Sequence, residues 1–382
     1  MGNTLCQLIL LAFHPHCDMI FGKEGAAMLL HNPVKIYSED NCVISHSGEL
    51  SALGNKAMIL TGKSSAKKCG ALQDVLSALS ETPYVLYDAV EENPSIETVM
   101  RARDIAVKEG ADFFIGIGGG SPMDAAKAVA LMAKNPELDS AVLYEPIELE
   151  HYPIACIPTT CGTGSEVTHN AVLTRHALRT KKSIAHKMYP SLALLDSKYL
   201  RAMPRAVLVN TCVDALSHLL ESWLNFNSNE LNRCYSRQGL ILWGKFRDRL
   251  MTDCLTDNDY RDMLHASLMG GLSISHTGTS LPHGLSYALT YELGMPHGQA
   301  VGAFLGGFAE KYPDAKASEE TAQLLGFESS KALHAYLLQL LGHVEVESAL
   351  LEAAAAKLLE DPRKLKNFPF PLDCEFLISL LN

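Results

Sequence analysis

Short apolar runs alternate with helix-like runs between residues 34 and 200, and this alternation constrains the fold more than any other feature of the chain. Apolar runs of strand length occupy residues 56–60, 84–87, 113–117 and 154–157. Helical periodicity appears in between, for example at residues 96–108 and 125–133. Repeated strand–helix units build a parallel sheet with helices on its faces. The sequence therefore predicts an α/β N-terminal domain.

The pattern changes after about residue 204. Helical periodicity with few β-branched residues runs through residues 207–224, 231–251, 260–275, 298–311 and 349–359. We predict an all-α C-terminal domain over residues 204–382 that follows an α/β domain over residues 28–203. A cleft between the two domains is the expected ligand site.

Residues 1–27 precede both predicted domains. The apolar run at residues 5–13 is similar to the core of a signal peptide, but no Lys or Arg comes before it and no small-residue cleavage pattern follows closely. The nearby His14, His16 and Cys17 lack partners at metal-site spacing. We interpret this segment as an N-terminal extension, with Met28 as an alternative start.

The composition is that of an ordinary globular protein, with 47% hydrophobic and 20% charged residues. A formal net charge of -11 argues against binding to nucleic acid or to an anionic membrane surface. No apolar run approaches the roughly 20 residues that cross a bilayer. The cysteines form no Cys-x-x-Cys pair, which favours a reduced, cytoplasmic protein.

A glycine-rich segment joins the run at residues 113–117 to the helix that follows. Gly118, Gly119 and Gly120 carry no side chains, so a phosphate group can approach the backbone closely. The free N–H groups at the start of the next helix favour an anion, and Ser121 can add a hydroxyl donor or cap the helix. Three consecutive glycines are more than a tight turn needs. We therefore predict that this segment binds the phosphates of a dinucleotide, as in a Rossmann-like domain.

A second polar loop follows the run at residues 154–157. Residues 158–166 contain three threonines, a serine and two glycines. Such a loop can donate several hydroxyl groups to a cofactor or substrate. On the residues alone, a generic polar turn is an equal alternative.

Four side chains in the helical half could hold a metal ion. Asp214 and His218 are four residues apart in a helical pattern, so they lie on one face of the helix. His283 and His297 are each followed by glycine. One carboxylate and three imidazoles would bind a divalent transition metal and leave a position open. Spacing alone leaves a surface pair or a core histidine as alternatives, and His265 and His276 could compete as ligands.

Together these motifs resemble those of the iron-dependent, or group III, alcohol dehydrogenases. Residues 118–127 match the family's nucleotide motif, and residues 157–168 match its second motif, with Cys161 where Ala is usual. The four candidate ligands fall on the family's metal-ligand positions. Further segments are most similar to the 1,3-propanediol-dehydrogenase-like branch, namely residues 61–68, 91–95 and 277–289.

The resemblance implies a dehydroquinate synthase-like fold, in which a Rossmann-like domain precedes a helical metal-binding domain. It also implies the interconversion of a small alcohol and its aldehyde or ketone by hydride transfer to or from NAD(P). Fe²⁺ is the expected metal, and Zn²⁺ remains open because Asp and His ligands suit both. By analogy with the family we expect a homodimer.

The resemblance further implies a set of residues that hold the cofactor. They lie in the loops that follow the predicted strands and on the adjoining segments, and they are Gly62, Lys63, Ser64, Ser65, Asn93, Gly118, Gly119, Gly120, Ser121, Asp124, Thr159, Thr160, Thr163 and Lys182.

The first of these loops predicts a preference for NADP over NAD. NAD-using members of the family have an Asp after the strand equivalent to residues 56–60, and this chain has Gly62 there. Glycine removes the repulsion of a 2′-phosphate, while the following Lys63, Ser64 and Ser65 offer a charge and two hydroxyl donors. The alternative is a solvated helix start whose lysines contact nothing.

One position departs from the family pattern. Many members have a second histidine four residues after the third ligand, and that histidine is often assigned to proton relay. Here the position holds Tyr287. Tyr287 could carry a proton or shape the pocket, and the sequence does not decide between the two roles.

Two other functions compete with alcohol oxidation. A dehydroquinate-synthase-like lyase needs basic residues around its anionic substrate, but residues 208–225 and 277–298 contain no Lys or Arg. A non-catalytic nucleotide- or metal-binding protein would be expected to have lost ligands. All four candidate ligands and the glycine motif are present, so neither alternative is favoured.

Overall fold

A parallel sheet forms the centre of the N-terminal half. The computed structural model describes residues 29–381, so the predicted extension at residues 1–27 lies outside the described part. The sheet has six strands in the order β1-β8-β5-β4-β2-β3. Their bounds are β1 (Lys35–Ser38), β2 (Ala57–Thr61), β3 (Tyr84–Tyr87), β4 (Phe113–Gly118), β5 (Ile154–Pro158) and β8 (Leu192–Leu195). All their pairings are parallel, which confirms the fold class predicted from the alternating pattern.

The remaining two strands form a hairpin outside this sheet. Val172–Arg175 (β6) and Thr180–Ser183 (β7) pair antiparallel with each other. The hairpin was not predicted from the sequence. It packs against the helix that follows β4 and brings Lys181 next to Asn93.

Helices cover both faces of the sheet, so its central strands are apolar along their whole length. Met58 and Leu60 of β2 face one buried cluster and Ile59 faces the other, as strand alternation requires. The covering helices are α1 (Cys42–Ser45), α2 (Ser47–Ser51), α3 (Ser65–Lys68), α4 (Ala71–Ala78), α5 (Ile96–Glu109) and α6 (Gly120–Lys134).

Helix α6 begins five residues before the predicted residue 125, inside the glycine motif itself. Gly119 is its extended N-cap, and Pro122 lies in the first turn, where its missing N–H costs no intrahelical hydrogen bond. The first N–H groups of α6 therefore belong to the glycine segment that was predicted to bind phosphate.

The C-terminal half is helical, as the sequence predicts. Four short 3₁₀ helices, the last at Ser197–Ala202, precede it among the described residues. Its helices are α7 (Arg205–Trp223), α8 (Glu230–Thr252), α9 (Asp257–Thr277), α10 (Leu281–Leu293), α11 (His297–Glu310), α12 (Ala315–Leu324), α13 (Ser330–Leu341), α14 (Ser348–Leu359), α15 (Pro362–Leu365) and α16 (Cys374–Ser379). In the described part of the chain, no helix is long and apolar enough to cross a membrane.

Helix α10 was not predicted, because its first turn reads Leu-Pro-His-Gly and gives a weak helical signal. Proline is tolerated there because the helix starts one residue earlier, at Leu281. Gly284 is needed for packing, since an added Cβ would lie 2.6 Å from Leu358 Cδ1 of α14. The start of α10 therefore fits tightly against its neighbour.

Close backbone contacts join the two halves near the ends of β4 and β5. Gly164, with φ +60, lies in the polar loop after β5, and a Cβ there would come within 2.4 Å of Gly271 Cα on α9. A Cβ on Gly162 would lie 3.0 Å from the Thr211 carbonyl oxygen and 3.1 Å from Asp214 Oδ2 on α7. Both contacts require glycine, so the polar loop rests directly on the helix that carries the first candidate ligands.

Candidate metal and nucleotide site

Three of the four predicted metal ligands converge from three helices. Asp214 of α7, His283 of α10 and His297 of α11 each offer one ligand atom, and these atoms all lie within 4.8 Å of one another. Asp214 Oδ1 is 3.6 Å from Nε2 of both histidines. Asp214 and His283 are buried, whereas 27% of the His297 side chain remains exposed. The group therefore opens toward solvent or a ligand on the His297 side.

The fourth predicted ligand, His218, lies directly beside this group. Its Nε2 is 3.8 Å from Asp214 Oδ1, and its ring stacks on His283 with centroids 4.7 Å apart. Its Nδ1–H donates to the Gly162 carbonyl oxygen at 3.2 Å. That hydrogen bond fixes the tautomer that leaves an Nε2 lone pair facing Asp214.

The competing histidines lie elsewhere and have other partners. His265 Nε2 is 2.8 Å from Ser38 Oγ, and His276 Nδ1 is 2.8 Å from the Leu272 carbonyl oxygen. Neither residue belongs to the ligand group that the structure describes.

Glu221 supports the site and was missed by the sequence analysis. It is fully buried on α7, and its Oε1 accepts a hydrogen bond from His283 Nδ1 at 2.5 Å. Its Oε2 accepts from the backbone N–H of Ser280, just before α10. Spacings of seven residues from Asp214 and three from His218 place Glu221 on the same helix face, so the sequence contained the signal.

The charges of these groups depend on one another. Burial opposes ionisation of Asp214, but the three histidines outweigh burial and lower its pKa. Burial also opposes the charged form of His283, yet Glu221 and Asp214 raise its pKa to about 10. Burial lowers the pKa of His297 to about 3, against the attraction of Asp214. Asp214 therefore stays ionised beside at least one neutral imidazole at pH 7.

The donor set fits a divalent cation. Asp214 Oδ1, His283 Nε2 and His297 Nδ1 are buried and have no hydrogen-bond partner among residues 29–381. Leaving such atoms without a partner costs free energy, and a cation held between Asp214 Oδ1 and His283 Nε2 would remove that cost for both of these atoms. One carboxylate and several imidazoles form a ligand set typical of Fe²⁺ or Zn²⁺.

The glycine segment and the polar loop face each other across a narrow gap. A Cβ on Gly119 would lie 3.2 Å from Thr160 Oγ1, and a Cβ on Gly120 would lie 2.8 Å from Thr163 Cγ2. Gly118 has φ +150, which side chains rarely allow. Thr159 is buried, and its N–H donates to the Gly118 carbonyl oxygen at 2.8 Å. The structure therefore brings both predicted nucleotide motifs together at the start of α6.

Asp124, which was predicted to hold the cofactor, accepts hydrogen bonds from within the protein. One of its carboxylate oxygens accepts from Ser165 Oγ at 2.6 Å, and the other accepts from the Val172 N–H at 2.9 Å. Its neighbour Lys127 is fully buried and donates to the Ser165 carbonyl oxygen at 2.7 Å. Asp124 thus fixes the polar loop and the start of β6, and its oxygens are engaged within the protein.

Asn93 lies at the edge of the glycine segment with a left-handed backbone (φ 57). Its N–H donates to Ser121 Oγ at 2.9 Å, and its side-chain oxygen accepts from Lys181 Nζ at 2.6 Å. Burial lowers the pKa of Lys181 to about 8, against the attraction of Glu92 and Asp214. Lys181 is therefore a half-buried cation between the glycine segment and the candidate metal ligands.

The structure does not bring Lys182 to this site. Lys182 pairs with the buried Leu173 across the hairpin, and its Nζ lies 5.6 Å from the centre of the Tyr144 ring. Successive side chains of a strand point to opposite faces, so the lysine that faces Asn93 is Lys181. Lys182, which was predicted to hold the cofactor, therefore lies on the opposite face of the strand from Lys181.

The loop after β2 leaves room beside Gly62. A Cβ there would meet only the Val90 carbonyl oxygen at 3.5 Å and Ser65 Oγ at 4.0 Å. The following Lys63, Ser64 and Ser65 are exposed. Lys67 of α3 forms an ion pair with Asp88, which directly follows β3, at a distance of 2.7 Å between Nζ and Oδ2.

Tyr287 borders the metal ligands. Its ring stacks on His297 with centroids 6.2 Å apart and an interplanar angle of 16°. It occupies the second turn of α10, four residues after His283, so both side chains lie on the same helix face. The position that departs from the family pattern therefore lies directly beside a candidate metal ligand.

Comparison with known proteins identifies the family. Residues 33–197 match the family model described as "Iron-containing alcohol dehydrogenase", and residues 208–366 match the model described as "Fe-containing alcohol dehydrogenase family, C-terminal". The chain belongs to the iron-containing alcohol dehydrogenase family. This confirms the family that the motifs predicted.

Solved and characterised relatives agree with this assignment. An iron-containing alcohol dehydrogenase from Thermotoga maritima superposes with a TM-score of 0.85 at 32% identity, over 93% of this chain and 98% of that chain. The lactaldehyde reductase of Escherichia coli (strain K12) is 31% identical over 252 residues, which are 64% of this chain and 65% of that enzyme, just under two thirds of its length. The choline dehydrogenase of Bacillus subtilis (strain 168) is 27% identical over 350 residues, or 85% of this chain and 87% of that enzyme. Because these names specify different substrates, similarity alone does not fix the alcohol.

Proposed function

We propose that the protein is a metal-dependent dehydrogenase that interconverts a small alcohol and its aldehyde or ketone. In the balanced reaction, the alcohol and NAD(P)⁺ give the carbonyl compound, NAD(P)H and one proton. The observation that carries the proposal is the convergence of Asp214, His283 and His297 beside a glycine segment that opens a helix. Among the described residues, Asp214 Oδ1 and His283 Nε2 are buried without a hydrogen-bond partner. Family membership supports the same chemistry.

The residues of the chain have distinct parts in this function. Asp214, His218, His283 and His297 would hold Fe²⁺ or Zn²⁺, and Glu221 orients His283. When bound, the metal supplies a Lewis acid for the hydroxyl oxygen, and the nicotinamide supplies the hydride acceptor.

The backbone of Gly119 and Gly120, with Ser121, would hold the cofactor phosphates at the start of α6. Lys181 would place a positive charge between the cofactor and the metal ligands, since Asp214 attracts it. Tyr287, which stacks on His297, would shape the pocket or carry a proton. With these positions, the cofactor and the alcohol would lie on adjacent sides of the ligand group.

Metal analysis combined with a cofactor-reduction assay tests the proposal. His283→Ala should remove bound metal and abolish reduction of NADP⁺ by a panel of short alcohols, while the circular dichroism spectrum stays unchanged. His265→Ala is the matched control, because His265 contacts Ser38 away from the site, and it should keep both metal and activity. A His283→Ala variant with full metal content and turnover would disprove the ligand assignment.

We further propose that NADP is the preferred cofactor. Gly62 directly follows β2 and has space beside it, and Lys63 has no ion-pair partner in the described part of the chain. A charge-assisted contact with the 2′-phosphate should favour NADP by roughly ten- to a hundredfold in kcat/KM. Gly62→Asp should fit without a clash and reverse that preference. Preference of the wild type for NAD, or an undiminished NADP preference in Gly62→Asp, would contradict the role of this loop.

We also propose a homodimer in the cytoplasm. The dimer rests on analogy with the family. The cytoplasmic location rests on the cysteines, since those of the described residues are all free. Light scattering at micromolar concentration tests the first part, and a monomer would contradict it. The lyase alternative is not favoured, because the family match is to the alcohol dehydrogenases.

A further inference from the structure

One ammonium group from a distant part of the chain lies near the candidate metal ligands. The two segments that carry the ligands, residues 208–225 and 277–298, contain no Lys or Arg. Lys364 of α15 nevertheless lies over the ring of Tyr287, with Nζ 5.6 Å from the ring centre. Tyr287 in turn stacks on His297. The Tyr287 ring therefore separates the Lys364 ammonium from a metal ligand.

Hydrogen bonds of Lys364 itself and of two nearby side-chain amides hold the segment that carries Lys364. Lys364 Nζ donates to Thr279 Oγ1. Asn367, one turn later and buried, donates through Nδ2 to the Thr279 carbonyl oxygen at 2.9 Å. Its Oδ1 accepts from Asn227 Nδ2 at 2.9 Å. Because these bonds join α15 to the segment just before α10, the ammonium is held in place before any ligand arrives.

The charge of Lys364 is not neutralised by a carboxylate. No acidic side chain of residues 29–381 forms an ion pair with its Nζ, whereas Lys35, Lys56, Lys67 and Lys198 each have such a partner. An ammonium has three N–H donors, and Thr279 uses one of them. Donors thus remain for an anion that enters the pocket.

We propose that Lys364 binds an anionic group at the far end of the substrate, so that the substrates are short hydroxy acids and the corresponding aldehyde acids. This inference rests on the proposed dehydrogenase function. The hydroxyl end would lie at the metal ligands and the carboxylate at Lys364, with Tyr287 between them. The reaction is unchanged: the alcohol carbon loses a hydride to NAD(P)⁺, the hydroxyl loses its proton, and the carboxylate takes no part in bond making.

Isosteric substrates isolate the contribution of the charge. The metal-loaded enzyme is assayed with 4-hydroxybutanoate and with its neutral counterpart 4-hydroxybutanamide, and the three- and five-carbon hydroxy acids then define the reach. The wild type should prefer the carboxylate. Lys364→Met should lower kcat/KM for the carboxylate by roughly ten- to a hundredfold, mostly through KM, and leave the amide near its wild-type value. A matched sulfonate, 3-hydroxypropanesulfonate, shows whether Lys364 recognises the charge or the carboxylate shape.

Two further variants separate recognition from structure. Lys366→Met removes the same charge from an exposed position two residues away and should change neither substrate. Lys364→Arg keeps the charge and should retain the preference for the carboxylate. Equal losses for both substrates in Lys364→Met, or a wild type that prefers the amide, would overturn the inference and leave the dehydrogenase function standing. A wild type that oxidises none of the compounds would overturn the proposed function itself.

Discussion

Replacement of Glu221 by glutamine should weaken metal binding without unfolding the protein. Glu221 is fully buried, and its two oxygens accept hydrogen bonds from His283 Nδ1 and from the Ser280 N–H. Glutamine has the same shape but only one acceptor oxygen, and its NH₂ group would face a donor. One of the two donors must therefore lose its partner in Glu221→Gln.

The size of the effect follows from the bond that is lost. A hydrogen bond to a charged group contributes about 1.5–3 kcal/mol, and removal of the carboxylate also makes His283 a weaker base. Loss of such a partner behind a metal-bound histidine typically lowers metal affinity by about ten- to a hundredfold, or roughly 1.4–2.7 kcal/mol. We expect Glu221→Gln to fall in this range, and kcat at saturating metal to fall less.

Chelator competition with Zn²⁺ or Co²⁺ measures the affinity directly, and thermal unfolding of the metal-free protein measures the structural cost. Glu230→Gln is the control, because Glu230 is exposed at the start of α8 and its side chain has no role in the ligand group. If Glu221→Gln binds metal as tightly as wild type, the hydrogen bond to His283 does not tune the ligand and the reasoning fails.

Three further predictions concern folding rather than recognition. Glu166 is buried with no partner for Oε1 among the described residues, and burial raises its pKa to about 7. The stability that the neutral carboxyl contributes is therefore present below pH 4.5 and lost as the pH rises through 7. In urea titrations, the free energy of unfolding of Glu166→Gln should exceed that of the wild type by about 2–4 kcal/mol at pH 8 and equal it at pH 4.5. A gain that is independent of pH would contradict this. Gly164→Ala should cost about 2–5 kcal/mol, measured in the same titrations, because its Cβ would meet the Gly271 backbone and its φ is positive. A protein that starts at Met28 should fold and keep normal kcat, and loss of soluble expression would show that residues 1–27 are structural.

The sequence predicted the parallel sheet and the candidate ligands because both depend on local patterns. In runs such as residues 113–117, successive side chains are all apolar, so both faces of the strand are apolar. This pattern is typical of a strand in a sheet that is covered on both sides. Asp214 and His218 share a helix face by their spacing alone. His283 and His297 needed the family motif, because no local rule brings α10 and α11 to α7.

Residues that act through tertiary contacts were harder to predict. Lys181 and Lys182 are neighbours of the same type, and only the register of the β6–β7 hairpin decides which one faces Asn93. Asp124 follows the glycine motif and looks like a ligand for the cofactor, but the fold brings Ser165 and the Val172 N–H to its two oxygens. In both cases a side chain's role depended on a segment distant in the sequence.

The same tertiary contacts explain why the polar loop belongs to both halves of the site. The carbonyl oxygen of Gly162 accepts a hydrogen bond from His218 Nδ1. There is no room for a side chain at Gly162, because Asp214 lies too close. A few residues away, Thr160 and Thr163 contact the glycine segment at the start of α6. The loop therefore borders both the glycine segment and the candidate metal ligands. Gly162 and Gly164 are required at this position because α7 and α9 approach the backbone of the loop closely, which a propensity for turns alone would not demand.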